Sequence, residues 1–230
     1  MSGAFYCLDN DIILKLATCD IFDDTLTTLG TNASQVKILD TFKYKFEKQI
    51  QRKRGSRATS NPQYNVQKAL EITQSFATIS ESDTNNLDTN IYTQLLNYSQ
   101  NNNDNNTIDK GEAVLISHVY YLNQQGNTNY LLTGDKRCLK ALANSGFTDV
   151  IEYINGKVWC LEQLILKNIE EIGFDLIQTK IYPVRACDSN IKLIFGYSSE
   201  MSEEIVIEGL RQEILNLKQQ TGNLLYPYPD

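Results

Sequence analysis

The sequence predicts an α/β protein with a central parallel sheet flanked by helices, followed by a C-terminal β-β-α extension. An apolar run at residues 4–8 leads directly into a helical pattern. Beyond residue 108, helical and strand-like segments alternate, which is typical of the βα units of a parallel sheet. From about residue 173 the pattern changes to two strand-like segments and one helix. We therefore predict a main domain over residues 1–172 and an extension over residues 173–230 that packs on it.

The first half of the chain is predicted to be mostly helical after its opening strand. Between residues 34 and 54 the apolar residues recur at spacings of three and four, which indicates an amphipathic helix that ends at Gly55. The predicted segments are a strand over 4–8, helices over 12–17, 34–54, 64–79 and 87–98, and polar loops over 55–62 and 101–106.

The second half is predicted to complete the sheet and then to form the extension. Its main-domain segments are a helix over 110–124, a strand over 129–133, a helix over 135–144, a strand over 148–153 and a helix over 159–171. The extension is predicted as strands over Phe174–Tyr182 and Ile191–Tyr197, a helix over 202–219 and an extended tail over 224–230.

Composition places the chain among soluble globular proteins. It has 230 residues, of which 41% are hydrophobic and 21% are charged. No apolar run approaches the ~20 residues of a membrane span, and the N-terminus lacks the pattern of a signal peptide. The 5 cysteines are odd in number and scattered, with no Cys-x-x-Cys spacing, which argues against a disulfide framework or a zinc site. We therefore expect a cytoplasmic protein with no membrane partner.

A basic segment interrupts an otherwise acidic chain, whose net charge is −7. Only one acid, Glu47, lies within it. Its cations are Lys43, Lys45, Lys48, Arg52, Lys53, Arg54 and Arg57. Such a segment can attract a nucleic-acid backbone locally, and the same pattern is typical of a solvated helix end whose cations favour the helix dipole. The candidate RNA contacts are Lys48, Arg52, Lys53, Arg54 and Arg57.

Three acids stand where apolar runs meet helix starts. Asp9 and Asp135 each follow an apolar run closely, and Glu112 opens a predicted helix. A parallel sheet gathers the carboxyl ends of its strands at one edge, where α/β proteins place their ligands. Clustered carboxylates there are suited to Mg²⁺ or Mn²⁺. Each acid could also cap a helix, and Asp109 with Glu112 has the spacing of a capping box.

The order and surroundings of these acids resemble the PIN-domain nucleases, in the branch that contains a Gly-Glu-Ala motif. The similar stretches are Leu8-Asp9-Asn10-Asp11-Ile12-Ile13-Leu14, Ile108-Asp109-Lys110-Gly111-Glu112-Ala113 and Leu131-Leu132-Thr133-Gly134-Asp135-Lys136. The resemblance spans residues 4 to about 172.

This resemblance implies a metal-dependent endoribonuclease that holds one or two Mg²⁺ or Mn²⁺ ions. It implies that Asp9 and Asp135 are metal ligands, and that Glu112 is a ligand or orients a metal-bound water. Asp11 would stabilise the arrangement of the metal ligands without being a ligand itself, and Asp109 would act mainly as a helix cap. Small nucleases of this family often act as toxins or in defence, so the expected partners are RNA and a protein inhibitor or a second copy of the chain.

The sequence departs from the family pattern at one position. The family has a further acid early in the helix after the first βα unit, and the corresponding stretch, residues 41–46, contains none. Asp40 and Glu47 are the nearest substitutes.

Two other functions remain open at this point. The missing acid and the extension are compatible with a PIN-type module that binds a partner without catalysis. Asp9-Asn10-Asp11 also resembles the start of haloacid-dehalogenase-type phosphatases, in which Asp9 would be the nucleophile and Asp11 the general acid. That family normally has another acid just after its Gly-Asp motif, and none follows Gly134-Asp135 directly.

Overall fold

A parallel sheet forms the centre of the protein, as predicted, and it contains five strands. The computed structural model describes residues 4–53, 64–83, 85–101 and 107–229, with the side chains of residues 48–53 and 101 excepted. The strands are β1 (Tyr6–Leu8), β2 (Val36–Leu39), β3 (Ala77–Ile79), β4 (Tyr130–Thr133) and β5 (Val158–Cys160). They lie in the order β3-β2-β1-β4-β5 and all pair in parallel. The strand β1 is therefore central, and its residues are buried on both faces.

Helices connect the strands and cover the sheet. In chain order they are α1 (Asn10–Thr18), α2 (Phe22–Thr28), α3 (Thr41–Lys53), α4 (Val66–Ile72), α5 (Thr89–Asn101), α6 (Lys110–Gln124), α7 (Lys136–Ala143), α8 (Thr148–Ile154), α9 (Leu161–Ile172), α10 (Phe174–Ile181), α11 (Ser189–Phe195) and α12 (Glu203–Thr221). Short 3₁₀ helices span Ala33–Gln35, Thr73–Ser75 and Tyr182–Cys187. No helix in the described ranges is both long enough and apolar enough to cross a membrane.

Two strands lie inside segments predicted as helices. The strand β2 occupies the start of the segment predicted as a helix over 34–54, and β3 occupies the end of the one predicted over 64–79. In β2, Val36 and Leu39 are buried at a spacing of three, which also fits a helix. A strand of three or four residues is too short to show its own period, so the prediction was wrong there.

The fifth strand lies later in the chain than predicted. Residues 148–153, predicted as a strand, belong to α8, which buries Val150 and Ile154 at a helical spacing of four. The edge strand is β5 instead, which was assigned to the linker and to the start of the following helix. It pairs with β4 through Leu131 and Val158.

The predicted β-β-α extension is wrong in its two strands and right in its helix. Both strand-like segments are helical, as α10 and α11. The first buries Ile177 and Ile181 four residues apart, and the second buries Ile191 and Phe195 at the same spacing. These spacings place the buried residues on one helical face. The predicted helix over 202–219 is confirmed as α12.

The C-terminal region shares its apolar core with the rest of the protein. The helix α12 packs against α7 and α9, and it buries Leu210, Ile214 and Leu217. The tail then runs along the sheet edge, where the Tyr226 amide donates a 2.7 Å hydrogen bond to the Val158 carbonyl. These contacts bring α10, α11 and α12 close to the helices that carry the candidate site.

Candidate active site

The sheet brings the ends of β1 and β4 side by side. Leu8 lies opposite Leu132 in the register, and Asp9 follows β1 directly. The Asp9 amide donates a 3.0 Å hydrogen bond to the Leu132 carbonyl, and its carboxylate Oδ2 accepts one of 3.2 Å from the Thr133 hydroxyl. Asp135 lies two residues beyond β4, and α6, which carries Glu112, packs against both strands. The fold therefore places all three predicted acids at one edge of the sheet.

Asp9 is buried and its side chain does not serve as a helix cap. Although Asp9 occupies the N-cap position of α1, its carboxylate makes no capping hydrogen bond. Burial raises the pKa of Asp9 to about 7, and the negative charges of Asp11 and Asp109 add to this increase. A buried carboxyl group with like charges as neighbours is costly to ionise. The capping interpretation therefore fails for Asp9.

Glu112 is buried and forms the predicted capping box with Asp109. The Glu112 amide donates to Asp109 Oδ1 at 2.8 Å, and the Asp109 amide donates to Glu112 Oε2 at 2.6 Å. Burial raises the pKa of Glu112 to about 9, and the charge of Asp109 adds to it, followed by those of Asp9 and Asp135. Glu112 is thus both a helix cap and a member of the acidic cluster.

Asp135 caps α7 and carries an ion pair. Its Oδ1 accepts hydrogen bonds from the amides of Arg137 at 2.8 Å and Cys138 at 3.3 Å. Its Oδ2 lies 2.9 Å from Arg137 Nη2. Burial alone would raise the pKa of Asp135, but the hydrogen bonds from Arg137 and from the helix amides hold it below its usual value. Asp135 is therefore ionised, whereas Asp9 and Glu112 resist ionisation.

Asp11 supports the site through a buried lysine. Lys15 Nζ lies 2.6 Å from Asp11 Oδ2 and 2.8 Å from Asp188 Oδ2, at the N-cap of α11. Gly134 faces this pair so closely that a Cβ there would overlap with the Asp11 carboxylate. The Asp11 carboxylate therefore lies directly against the β4–α7 turn that carries Asp135.

The structure places the two substitute acids at different points. Asp40 directly follows β2, which neighbours β1, so it lies at the same sheet edge as Asp9. Glu47 lies farther along, on α3, and both side chains are exposed. The sequence did not favour Asp40 over Glu47 because the short strand β2, which Lys37 interrupts, was not recognised.

The candidate RNA contacts lie outside the described part of the structure. The backbone of α3 is described as far as Lys53, but the side chains of Lys48, Arg52 and Lys53 are not. Arg54 and Arg57 lie in the undescribed range 54–63. Their assignment to RNA stays a prediction.

The donor set fits a hard divalent cation in its chemistry. Asp9, Glu112 and Asp135 offer carboxylate oxygens, which Mg²⁺ and Mn²⁺ prefer. Burial is the main cause of the raised pKa values of Asp9 and Glu112, and neighbouring carboxylates add to it, so a bound cation would favour the ionised form of both. In the described ranges, no three His, Cys, Asp or Glu side chains are already arranged to hold a metal ion. Asp135 would have to exchange its partner Arg137, whose own side chain is exposed.

The sequence did not identify three other residues around the cluster. They are Lys15, Asp188 and Tyr64, whose hydroxyl lies 3.5 Å from Asp11 Oδ1. A lysine inside an apolar helical stretch, Ile12–Thr18, was the available signal for Lys15. Comparison of this chain with protein-family models, curated proteins and solved structures gives no match.

Proposed function

We propose that this protein is a metal-dependent endoribonuclease of the PIN type, with Asp9, Glu112 and Asp135 as its metal-binding residues. The observation that carries the proposal is that Asp9 and Glu112 are both buried at one sheet edge with strongly raised pKa values. Perturbed carboxyl groups of this kind are characteristic of functional sites. The Asp9 side chain has no capping role to explain its position.

The chemistry follows from the donor set. A Mg²⁺ or Mn²⁺ ion held by these carboxylates would activate water and stabilise negative charge on the leaving oxygen of a phosphodiester. Asp11 and Lys15 lie against the β4–α7 turn, and this close approach of α1 requires the glycine at position 134. Asp40 is the better candidate for the fourth acid, because it stands at the end of a strand adjacent to β1.

RNA is the proposed substrate, and the basic segment of α3 is its proposed contact. The helix α3 begins immediately after Asp40 at the edge that carries the acids, and the proposed contacts Lys48, Arg52 and Lys53 lie in its C-terminal half. A role as a toxin or defence effector, with a protein inhibitor or a second copy of the chain as partner, belongs to the same proposal.

A cleavage assay with matched variants tests this function. The purified protein is incubated with total RNA and Mn²⁺ beside Asp9→Asn, Asp135→Asn and Glu152→Gln variants. Glu152 is an exposed acid of α8 and serves as the control. We expect metal-dependent cleavage by the wild type and by Glu152→Gln, and a loss of at least about a hundredfold in the other two. Equal cleavage by the wild type and Asp9→Asn would overturn the proposal.

One observation favours a second candidate, a PIN-type module that binds a partner without catalysis. Asp135 is already occupied by Arg137 and by the helix amides. Under this alternative, RNA would stay intact and Mn²⁺ would not change the thermal stability of the protein. Hydrolysis of a small phosphomonoester without RNA cleavage would instead indicate the phosphatase, which is the weaker alternative because Lys15 holds its general acid, Asp11, in an ion pair.

A further inference from the structure

Two cysteines from distant parts of the chain meet beside the Lys15 ion pairs. The Sγ atoms of Cys19 and Cys187 lie 3.8 Å apart and share a hydrogen bond. Their exposed fractions are only 2% and 4%. Cys19 is the C-cap residue of α1, and Cys187 ends the 3₁₀ helix Tyr182–Cys187. The contact therefore joins the first βα unit to the C-terminal region.

The surroundings of the pair make Cys187 the more acidic of the two thiols. The hydrogen bond shared with Cys19 lowers the pKa of Cys187, and the nearby Lys15 ammonium lowers it further, although burial, Asp188 and Asp11 oppose both effects. The same hydrogen bond raises the pKa of Cys19 well above its usual value. Thiolates react with oxidants and thiols do not, so Cys187 is the expected site of attack and Cys19 the resolving partner.

We propose that Cys19 and Cys187 form an oxidation site, at which hydrogen peroxide converts the two thiols into an intramolecular disulfide. A peroxide molecule is little larger than water, so it suits a buried pair better than a bulky disulfide reagent does. The proposal does not depend on the nuclease activity.

The chemistry balances with peroxide as the only oxidant. The Cys187 thiolate attacks one peroxide oxygen and the O–O bond breaks, which leaves a sulfenic acid on Cys187 and releases hydroxide. That hydroxide takes up the proton lost by Cys187 and becomes water. The Cys19 sulfur then attacks the Cys187 sulfur, the S–O bond breaks, and a second water leaves with the Cys19 proton. The two thiols lose two electrons, and the peroxide gains them.

The disulfide would act next to the candidate active site. Cys187 precedes Asp188, whose carboxylate holds Lys15, and Lys15 in turn holds Asp11. Oxidation would therefore link the C-terminal region covalently to the end of α1, next to the ion pairs of Lys15. A crosslink between residues so far apart in sequence restricts the unfolded chain strongly, so the oxidised protein should melt at a higher temperature.

Peptide mapping of the oxidised protein tests the proposal. The reduced full-length protein, freed of reductant, is treated with a small excess of hydrogen peroxide without denaturant, then alkylated with iodoacetamide in denaturant and digested. We expect a linked peptide pair containing Cys19 and Cys187, the loss of two hydrogens from the intact mass, reversal by dithiothreitol, and a melting temperature raised by about 5 °C or more.

Variants separate this pair from the other buried thiols. Cys19→Ser and Cys187→Ser should each lose the linked peptides and the peroxide-dependent rise in melting temperature. Cys7→Ala, at a buried cysteine of β1, should keep both. Alkylation of all five thiols after peroxide, oxidation to sulfinic or sulfonic acids alone, or linkage of other cysteines would overturn the proposal. If a serine variant fails to fold, the wild-type peptide map decides by itself.

Discussion

Lys15 forms a 2.8 Å ion pair with Asp188, and this contact ties α1 to the start of α11. The same ammonium lies 2.6 Å from Asp11, so one buried cation serves two carboxylates. Burial would lower the pKa of Lys15, but the two acids raise it above its usual value. The lysine is therefore charged, and it couples the C-terminal region to the helix that follows Asp9.

Replacing Lys15 should destabilise the protein clearly. Lys15→Met leaves Asp11 and Asp188 without their partner in a partly buried place, and we expect a loss of about 2 to 3 kcal/mol in the free energy of unfolding. Lys68→Met is the matched control, because Lys68 pairs with Asp20 at an exposed site and should cost less than about 1 kcal/mol. Urea denaturation measures both. Similar losses in the two variants would contradict a structural role for the buried pair.

The stability of the metal-free protein should fall as the pH rises. The native pKa values of Asp9 and Glu112 are raised from 3.8 and 4.5 to about 7 and about 9. Between the unfolded and native pKa values the native state binds more protons than the unfolded state. The resulting contribution to the free energy of unfolding is complete at low pH and is lost as the pH rises through the native pKa values. The decline should therefore begin near pH 4, at the unfolded pKa values, and end near pH 9, at the native pKa of Glu112. Each unit of pKa shift corresponds to about 1.4 kcal/mol.

Neutral replacements should remove part of that decline. In chelator, Asp9→Asn should be more stable than the wild type at pH 8 and nearly equal to it at pH 4, as judged by melting curves. Glu152→Gln, at an exposed position, should follow the wild type throughout. A wild-type melting temperature that stays constant across this pH range would contradict the raised pKa values of Asp9 and Glu112.

Metal binding should be tighter at high pH. The ligands must lose their protons before they can hold Mn²⁺, so the cation competes with the protons on Asp9 and Glu112. We expect Mn²⁺ to raise the melting temperature by several degrees at pH 8 and much less at pH 5.5. Calorimetry should detect proton release on binding. An equal rise in melting temperature on addition of Mn²⁺ for the wild type and Asp9→Asn would show that the ion binds elsewhere.

Asp109 combines a capping role with an electrostatic one, and two substitutions separate them. Asp109→Ser keeps a capping side chain but removes the charge that raises the pKa of Glu112 and Asp9. It should change stability by less than about 0.5 kcal/mol at pH 5 and move the pH-dependent decline to lower pH. Asp109→Ala removes both functions and should cost about 1 kcal/mol more than the serine variant. Identical behaviour of the two variants would show that the cap contributes nothing.

Local sequence patterns were sufficient to predict where β1 and β4 end. Each is an apolar run followed closely by an acid, and this arrangement survives in the structure as Leu8-Asp9 and Thr133-Gly134-Asp135. The capping box of Asp109 and Glu112 was also readable, because both partners lie within one helical turn. Short strands were not readable, since β2 and β3 contain too few residues to show a period of two.

The sequence by itself determined the α/β class and the positions of the three acids at strand ends and helix starts. The tertiary structure decided how deeply each acid is buried and which groups its carboxylate contacts. Asp9 is buried without a capping role, Glu112 is buried with one, and Asp135 is ionised and paired with Arg137. It also decided that Lys15 meets Asp188 and that Cys19 meets Cys187. These properties depend on burial and on charges brought together across the fold, and no local pattern of residues encodes them.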